Sequence, residues 1–257
     1  GALVVPRHTV DDTIVFDPAL RENTLGLEEP GKITEILREY VGNDRFERMG
    51  SILNQRTRRL TALLENVTNP HNVAACLRSC DAFGIQDLHV VTEGSQPIRV
   101  ARGIARKCHK WLTVHHHPDL ESALKVIKGA GYRVAATDPG SDTQKASPLQ
   151  SVTMEDKLCV AFGNEADGVS LELRQAADFL MVIPMHGFVE SLNISVAFAL
   201  SMHWLRTKLD DTTGETGDLT ENERVRIIDR WVLEQVSRSQ EVLAELDRRK
   251  RAAETAQ

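Results

Sequence analysis

The chain has 257 residues, of which 41% are hydrophobic and 26% are charged, and its formal net charge is −6. A chain of this size and composition buries one sizeable core and leaves room for additional helices at its ends. No apolar run is long enough for a helix that spans a bilayer, which excludes a helical integral membrane protein.

Two local features bear on the compartment. The first residues, Gly1 to Pro6, contain neither an initiator Met nor a charged leader, so we interpret Gly1 as a tag remnant and expect no signal peptide. The four cysteines lie in helix-like or strand-like stretches without CxxC spacing. The sequence therefore predicts a cytoplasmic protein whose cysteines are reduced and buried: Cys76, Cys80, Cys108 and Cys159.

The first 59 residues form an N-terminal extension with two parts. Residues 1–44 are rich in proline and acidic side chains, and a short helix is predicted around Ile33 to Tyr40. Residues 45–59 predict a basic helix, because apolar and basic residues recur there at helical spacing: Arg45, Met49, Ile52, Leu53 and Arg56.

Strand-like and helix-like stretches alternate from residue 60 to residue 209. The predicted order is strand Leu60–Val67, helix 70–83, strand Leu88–Val91, helix 118–130, strand Arg133–Thr137, strand Leu158–Phe162, helix 170–177, strand Phe179–Ile183 and helix 191–209. Strands separated by helices predict a parallel sheet in an α/β fold. A polar linker from Asp210 to Asp218 and one amphipathic helix over 219–252 complete the chain, so 210–257 forms a third region.

Positive charge is concentrated in one window. Residues 45–110 contain eleven Lys and Arg against five acidic residues, a net charge of +6, which leaves −12 for the rest of the chain. Such a cluster attracts phosphate whatever the overall sign of the protein. The alternative is a solvated face balanced by neighbouring acids. We favour RNA as the partner, because the window overlaps the first of three motifs.

These motifs are junctions at which a loop rich in polar residues or glycine follows a predicted strand. The first runs from Asn69 to Gly84 and contains Asn-Pro-His-Asn followed by Arg78; the second runs from Ala161 to Ser170; the third runs from Ile183 to Ala197 and contains Ser-Leu-Asn-Ile-Ser. Glycine lets such a loop bend, and the helix that follows offers free backbone N–H groups.

In this order and at this spacing, the three segments resemble the motifs of the SPOUT superfamily of S-adenosylmethionine-dependent RNA methyltransferases. The resemblance is greatest to the TrmH branch, which methylates a guanosine ribose 2′-hydroxyl in tRNA, and it covers about Arg45 to about Leu209. It implies a SPOUT fold, that is, an α/β domain with a parallel sheet and a C-terminal trefoil knot, with helical extensions at both ends. It also implies a homodimer that binds RNA across its subunits. Periodicity alone would not reveal a knot.

The resemblance also implies roles for individual residues. The catalytic set is Arg78, Glu165, Ser191 and Asn193. The S-adenosylmethionine contacts are Thr137, Gly163, Ile183, Met185 and Leu192. The RNA contacts are Arg45, Arg48, Arg56, His71 and Asn72, with His109-Lys110-Trp111 as support on the substrate side. The chain departs from many members at Ala166 and Asp167, where they carry a Lys and an aromatic residue at the rim that meets RNA.

A ribose hydroxyl is a poor nucleophile, so methyl transfer needs removal of its proton or strong polarisation. A guanidinium stays protonated in proteins, so Arg78 acts either with a substrate phosphate or as an electrostatic clamp on the developing oxyanion. Simpler interpretations exist. Arg78 is also explained as a surface charge or a salt-bridge partner, Glu165 as an acid favoured by a helix N-terminus, and Ser191 and Asn193 as helix caps.

Other chemistries fit the sequence less well. The spacing Gly163-x4-Gly168 is that of half a P-loop, but Val169 stands where the phosphate-binding Lys belongs. No G-x-G-x-x-G sequence follows a predicted strand, which weighs against a dinucleotide site. The run His115-His116-His117 invites a metal site, yet alternate strand residues point to opposite faces and no Cys or acid lies at ligand spacing. We predict no metal and interpret this run as a surface strand end.

The sequence thus predicts a tRNA (guanosine 2′-O)-methyltransferase that acts in the D-loop. Ribosomal members of the resembled family usually carry a different N-terminal RNA-binding domain, and residues 1–44 are too short and too acidic to be one. Two alternatives remain open: the same chemistry on ribosomal RNA, and a catalytically silent RNA-binding factor. The joint presence of Arg78, Glu165, Ser191 and Asn193 argues against the second.

Overall fold

We describe a computed structural model, which covers residues 13–16, 29–92, 98–101, 108–139, 145–154 and 157–236, together with 239, 241–243, 245 and 248. Its centre is a seven-stranded sheet in which every pair of neighbouring strands is parallel. The predicted α/β class with a parallel sheet is therefore confirmed. Among the residues covered, no helix combines the length and the apolar character needed to cross a membrane.

The described residues form nine strands in two sheets. They are β1 (Thr13–Phe16), β2 (Leu60–Glu65), β3 (Asp87–Val91), β4 (Ile98–Ala101), β5 (Thr113–His117), β6 (Arg133–Thr137), β7 (Ser147–Pro148), β8 (Leu158–Phe162) and β9 (Phe179–Val182). The parallel sheet has the order β5-β3-β2-β8-β6-β9-β7, and β1 pairs antiparallel with β4. Every residue of β2 and β8 is buried, as expected for continuous apolar runs at the centre of a parallel sheet.

Helices cover both faces of the parallel sheet. The helices are α1 (Lys32–Leu37), α2 (Asn43–Leu53), α3 (Pro70–Ala82), α4 (Leu120–Gly129), α5 (Leu171–Ala176), α6 (Ile194–Thr213) and α7 (Glu221–Gln235). One core cluster joins α3 and α6 to the sheet through Val73, Leu77, Phe198 and Met202. A second cluster, on the opposite face, contains the apolar side of α4 and Leu173 of α5. All four cysteines are free and buried, as predicted.

The remaining helices form a third cluster beside the sheet. Leu37 of α1 and Leu53 of α2 pack there with Trp231 of α7, which is fully buried. The buried Asp229 carboxylate accepts hydrogen bonds from the Thr34 backbone N–H at 2.8 Å and the Thr34 hydroxyl at 2.5 Å. The N-terminal and C-terminal segments, predicted as separate extensions, therefore pack against each other.

Several predicted helix boundaries are wrong. The basic helix ends at Leu53 rather than at residue 59. The helix predicted over 191–209 starts at Ile194, where the Asn193 side chain caps it, and continues to Thr213 before Gly214 ends it in the left-handed region. The predicted linker is correspondingly shorter. The helix predicted over 219–252 is not continuous, because α7 ends at Gln235 and Val236 adopts an extended backbone.

The predicted surface strand end at residues 115–117 is the edge strand β5, and His117 is buried there. His115 and His117 face the same side of the sheet as His89 of β3. Nδ1 of His89 lies 2.9 Å from Nε2 of His117, and the His89 ring stacks on both neighbours with centroids 4.6 and 5.2 Å apart. Nε2 of His115 is 2.7 Å from a carboxylate oxygen of Asp87. Among the described residues, no cluster of His, Cys, Asp or Glu is arranged to hold a metal ion.

His89 and His117 are expected to make the fold sensitive to acid. Burial and the neighbouring imidazoles lower the pKa of His89 to about 3 and that of His117 to about 4. Because an unfolded histidine titrates near pH ~6.5, the stability that these neutral rings contribute is complete above that pH and is lost as the pH falls toward ~3. We expect the free energy of unfolding, measured with urea, to fall between pH ~6.5 and ~4, and His89→Phe to flatten this decline. An equally steep decline in the variant would contradict the assignment. The exposed His186→Phe serves as the control.

Candidate active site

The three motifs converge on one edge of the parallel sheet. The strands β2, β8 and β9 run in the same direction, so their carboxyl ends lie at the same edge. Each motif follows one of these ends. Open α/β sheets bind their ligands at this edge. The strand β6 lies between β8 and β9 and ends at the same edge with Thr137.

Asn72 connects the three motifs. Its side chain is at the start of α3 and the residue is only 8% exposed. The Asn72 Nδ2 donates to Oε1 of Glu165 at 2.5 Å, and Asn72 Oδ1 accepts from Nδ2 of Asn193 at 3.5 Å, the outer limit of a hydrogen bond. An amide suits this position because it donates and accepts at once. The structure thus brings together three of the predicted site residues, one from each motif.

Asn193 has a second function as the cap of α6. Its Oδ1 accepts from the backbone N–H of Ser195 at 2.9 Å and from the Ser195 hydroxyl at 2.6 Å. The interpretation of Asn193 as a helix cap is therefore correct, and the cap leaves its Nδ2 pointing at Asn72. Ser191 lies two residues before the cap, outside the helix, and is exposed. It is therefore available to a substrate rather than engaged in capping.

The second motif forms a closed loop between β8 and α5. Asn164 and Gly168 exchange two backbone hydrogen bonds of 3.0 Å, and Gly168 has a φ of +71°. A Cβ atom on Gly163 would lie 1.9 Å from the Gly168 carbonyl oxygen, so no other residue fits at that position. The resemblance implies that Gly163 contacts the cofactor. The structure shows a separate reason for a glycine here, because the loop could not close around a side chain at this position. Glu165 projects from this loop to Asn72.

Arg78 is separated from this junction. Arg78 follows Asn72 by six positions in the helix, which is about 9 Å along the axis of α3. Arg78 is exposed, and it shares the exposed face of the helix with His71, as predicted. It also lies near the turn Cys108–Lys110, where its positive charge acts on the Cys108 thiol. Burial raises the pKa of this thiol to about 11, and the charge of Arg78 opposes that increase. The structure therefore does not bring Arg78 into contact with Asn72 in a single chain.

The residues assigned to the cofactor line the ends of three neighbouring strands. Thr137, Ile183, Met185 and Leu192 are partly buried, and Gly163 is buried. No backbone–backbone hydrogen bond joins residues 184–192 to another described residue, so the N–H and C=O groups of this segment suit the recognition of the edges of a base. A half-buried apolar wall beside such backbone groups fits the adenosine part of S-adenosylmethionine.

Comparison with known proteins agrees with this geometry. Residues 59–203, more than half of the chain, match the SpoU rRNA Methylase family. The chain belongs to this family. Its relatives include the tRNA (guanosine(18)-2′-O)-methyltransferase of Thermus thermophilus, 40% identical over 158 residues, which cover 61% of this chain and 78% of that protein. The enzyme of the same name from Borreliella burgdorferi is 31% identical over 68% of this chain and 78% of its own length.

A solved structure supports the same assignment to the SpoU family. The A. aeolicus TrmH/SpoU tRNA modifying enzyme superposes with a TM-score of 0.69 at 28% identity, over 76% of this chain and 98% of the other. The similarity therefore includes nearly the whole of that smaller protein.

The basic residues of this SpoU protein divide into exposed and structural groups. Arg45 and Arg48 of α2 are exposed, and Arg45 donates to the Gln235 side chain at 2.6 Å. Arg56, in contrast, is 1% exposed and forms an ion pair with Asp81, and its guanidinium lies 5.5 Å from the Trp231 ring. The prediction that Arg56 contacts RNA is therefore wrong for this structure, because its charge is neutralised in the core. Four other basic residues of the positively charged window 45–110 cannot be placed in either group. Arg102, Arg106 and Lys107 lie outside the described residues, and so does the side chain of Arg99.

The segment predicted to support the substrate also contacts the C-terminal helix. Trp111 packs edge-on against Trp231 of α7 with ring centroids 5.3 Å apart, and the Trp231 indole N–H donates to the Trp111 carbonyl at 3.0 Å. Lys110 pairs with Glu234 at 3.0 Å. In this SpoU protein, Lys110 and Trp111 therefore attach the C-terminal helix to the sheet domain.

Sequence reasoning missed one residue at the site. Glu65, the last residue of β2, is a buried acid that binds Ser170 at the start of α5. The only signal in the sequence is an acidic residue that closes an apolar run directly before the first motif.

Proposed function

We propose that this protein transfers a methyl group from S-adenosylmethionine to the ribose 2′-hydroxyl of a guanosine in the D-loop of tRNA. The observation that carries the proposal is the hydrogen-bonded junction of the three motifs at Asn72, within a chain that belongs to the SpoU family. The names of the relatives from T. thermophilus and B. burgdorferi support tRNA rather than ribosomal RNA as the substrate.

When bound, S-adenosylmethionine supplies an electrophilic methyl group. The residues that would hold it are those at the ends of β6, β8 and β9: Thr137, Gly163, Ile183, Met185 and Leu192. The backbone of residues 184–192 would recognise the adenine, and the apolar side chains would exclude water from one side of it.

The chain's own polar groups orient the ribose. Glu165 fixes the orientation of the Asn72 amide, and Asn72 in turn holds Asn193 toward the site. Ser191, exposed beside them, offers a hydroxyl to the substrate. The Arg78 guanidinium stays protonated, so it stabilises the negative charge that develops on the attacking oxygen or positions a substrate phosphate. An RNA strand lying along the exposed face of α3 would meet both His71 and Arg78.

A homodimer is part of the proposal. Three large apolar residues one helical turn apart on α6 are exposed, Val196 by 44%, Leu200 by 49% and Trp204 by 39%. A stripe of this kind, which we call the α6 stripe, marks a contact surface. The apolar side of α7 is not available for dimerisation, because Trp231 and Val232 are buried within the same chain. The α6 stripe, which lies on the helix capped by Asn193, is therefore the proposed interface.

A trefoil knot also belongs to this proposal. It is supported by the strand order, in which β6 lies between β8 and β9, so the chain must cross β6 after leaving β8. The loop after β8 and the loop after β9 also contact the same residue, Asn72.

The test of the proposed function uses the purified protein, S-adenosylmethionine and unmodified tRNA transcripts. The expected product is 2′-O-methylguanosine, and mass spectrometry of nuclease fragments should map it to the D-loop. Methylation of a base, or of ribosomal RNA fragments alone, would refute the proposal.

The exposed arginines of α2 should contribute to RNA affinity. Replacing Arg45 and Arg48 together with Ala should weaken tRNA binding and lower the slope of log affinity against log salt by about one unit for each lost phosphate contact. Filter binding at several salt concentrations measures this slope, and S-adenosylmethionine affinity should stay unchanged. The control removes two other positive charges, Lys125 and Arg133, which are exposed and lie away from the motif edge. An equal change of slope in both double variants would show that α2 is not a specific RNA surface.

A further inference from the structure

Glu65 places a buried carboxylate at the motif edge of the sheet. The residue is 4% exposed. Its two oxygens accept from a single partner: the Ser170 backbone N–H donates to Oε2 at 2.8 Å, and the Ser170 hydroxyl donates to Oε1 at 2.6 Å. A buried carboxylate is stabilised only when such donors replace its water. The two residues are 105 positions apart, so this contact joins the strand before the first motif to the end of the second motif.

The strand register explains why Glu65 reaches Ser170. Leu64 of β2 pairs with Phe162 of β8, so Glu65 stands beside Gly163, where the second-motif loop leaves the sheet. Ser170 is where the loop ends, because it caps α5 by accepting from the Leu173 N–H at 3.0 Å. Glu65 therefore ties the end of the loop to the strand beside its start.

Two further contacts make the loop a defined unit. The Asn164 side chain accepts from the backbone N–H groups of Ala166 at 2.7 Å and Asp167 at 2.9 Å. On the other side of α5, Arg174 pairs with Asp138, which follows β6. The short helix α5 is thus held at the ends of two strands, and Glu165, in the middle of the loop, is presented to Asn72.

We propose that Glu65 is a positioning residue for methyl transfer: through Ser170 it holds the 163–170 loop so that Glu165 orients Asn72. This inference rests on the proposed function. Glu65 touches neither substrate nor cofactor in this scheme, and its effect on the reaction passes entirely through Glu165.

Two variants test the contact. Glu65→Gln replaces one accepting oxygen with an NH2 group that cannot accept, and Ser170→Ala removes only the hydroxyl, so it remains informative if the first variant folds poorly. We expect each to lower the single-turnover rate of methyl transfer by between about tenfold and about a hundredfold, because a small misplacement of a site group has effects of this size. The KM for tRNA should not change. Hydrogen exchange of residues 164–170 should become faster. The exposed Glu172→Gln, on the same helix α5, is the matched control and should match the wild type in all three measurements.

A double-variant cycle separates positioning from general destabilisation. In the Glu165→Ala background, Glu65→Gln should lower the transfer rate no further, because its effect depends on Glu165. Independent, multiplicative losses would overturn the proposal, and so would wild-type rates in both single variants. A wild-type protein that does not methylate tRNA would refute the proposed function instead. In that case unchanged hydrogen exchange in Glu65→Gln would still overturn the role of Glu65 in holding the loop, and faster exchange confined to residues 164–170 would support it.

Discussion

Replacing Arg78 with Ala is expected to lower the rate of methyl transfer by about a thousandfold, because a preorganised charge aimed at a developing oxyanion contributes on this scale. The affinity for S-adenosylmethionine should stay unchanged, since Arg78 is about 9 Å along α3 from Asn72 and the residues proposed to hold the cofactor lie on other elements. Stability should also stay unchanged, because the side chain is exposed and lies off the buried stripe of the helix.

A tritium-transfer assay measures the rate, calorimetry measures cofactor binding, and thermal unfolding measures stability. Arg133→Ala is the control, because Arg133 is an exposed arginine at the start of β6, opposite the motif edge. Turnover at the wild-type rate would remove Arg78 from the mechanism. A large loss of stability would support the simpler interpretation of Arg78 as a structural salt-bridge partner.

Placing a charge in the α6 stripe is expected to convert the proposed dimer into monomers. Leu200 lies at the centre of the stripe, and Leu200→Glu would bury an unpaired carboxylate in the interface, which costs several kcal/mol. The dimer dissociation constant should rise at least about a hundredfold. Light scattering and sedimentation over a range of concentrations measure the change. Methyl transfer should fall in parallel, because the proposed RNA surface extends across both subunits.

The matched control for this experiment is Val126→Glu. Val126 is also an exposed apolar residue on a helix, but α4 covers the opposite face of the sheet. This variant should stay dimeric and active. A dimer in Leu200→Glu, or a monomer in the wild type at micromolar concentration, would contradict the proposed interface.

Most of the parallel sheet was predictable because its signals are local, whereas the two-residue strand β7 was not predicted. Arg133–Thr137 and Leu158–Phe162 were predicted with the bounds that the structure has, since each is a short apolar run that ends at a polar or glycine residue. The three motifs that contain Asn72, Glu165 and Asn193 meet at one edge, because the carboxyl ends of parallel strands share an edge.

Long-range pairing explains what the sequence could not reveal. In the sequence, nothing distinguishes Arg56 from the other basic residues of its segment. The packing of Asp81 and Trp231 around its side chain shows that it belongs to the core. Glu65 likewise has no local signal for its partner 105 residues away. The strands β1 and β4, four residues each, pair across 82 or more residues and are too short for periodicity to identify.

The third core cluster has a consequence for the order in which the protein assembles during synthesis. Thr34 of α1 donates hydrogen bonds to Asp229 of α7, which is 195 residues later in the chain. The apolar sides of α1 and α2 are covered only when Trp231 packs against them. Contacts of such long sequence separation form late, because the intervening loop must close first. The nascent α1 and α2 therefore stay uncovered until nearly the whole sheet domain has left the ribosome. A chain truncated before residue 221 should leave this apolar surface open to chaperones and to aggregation.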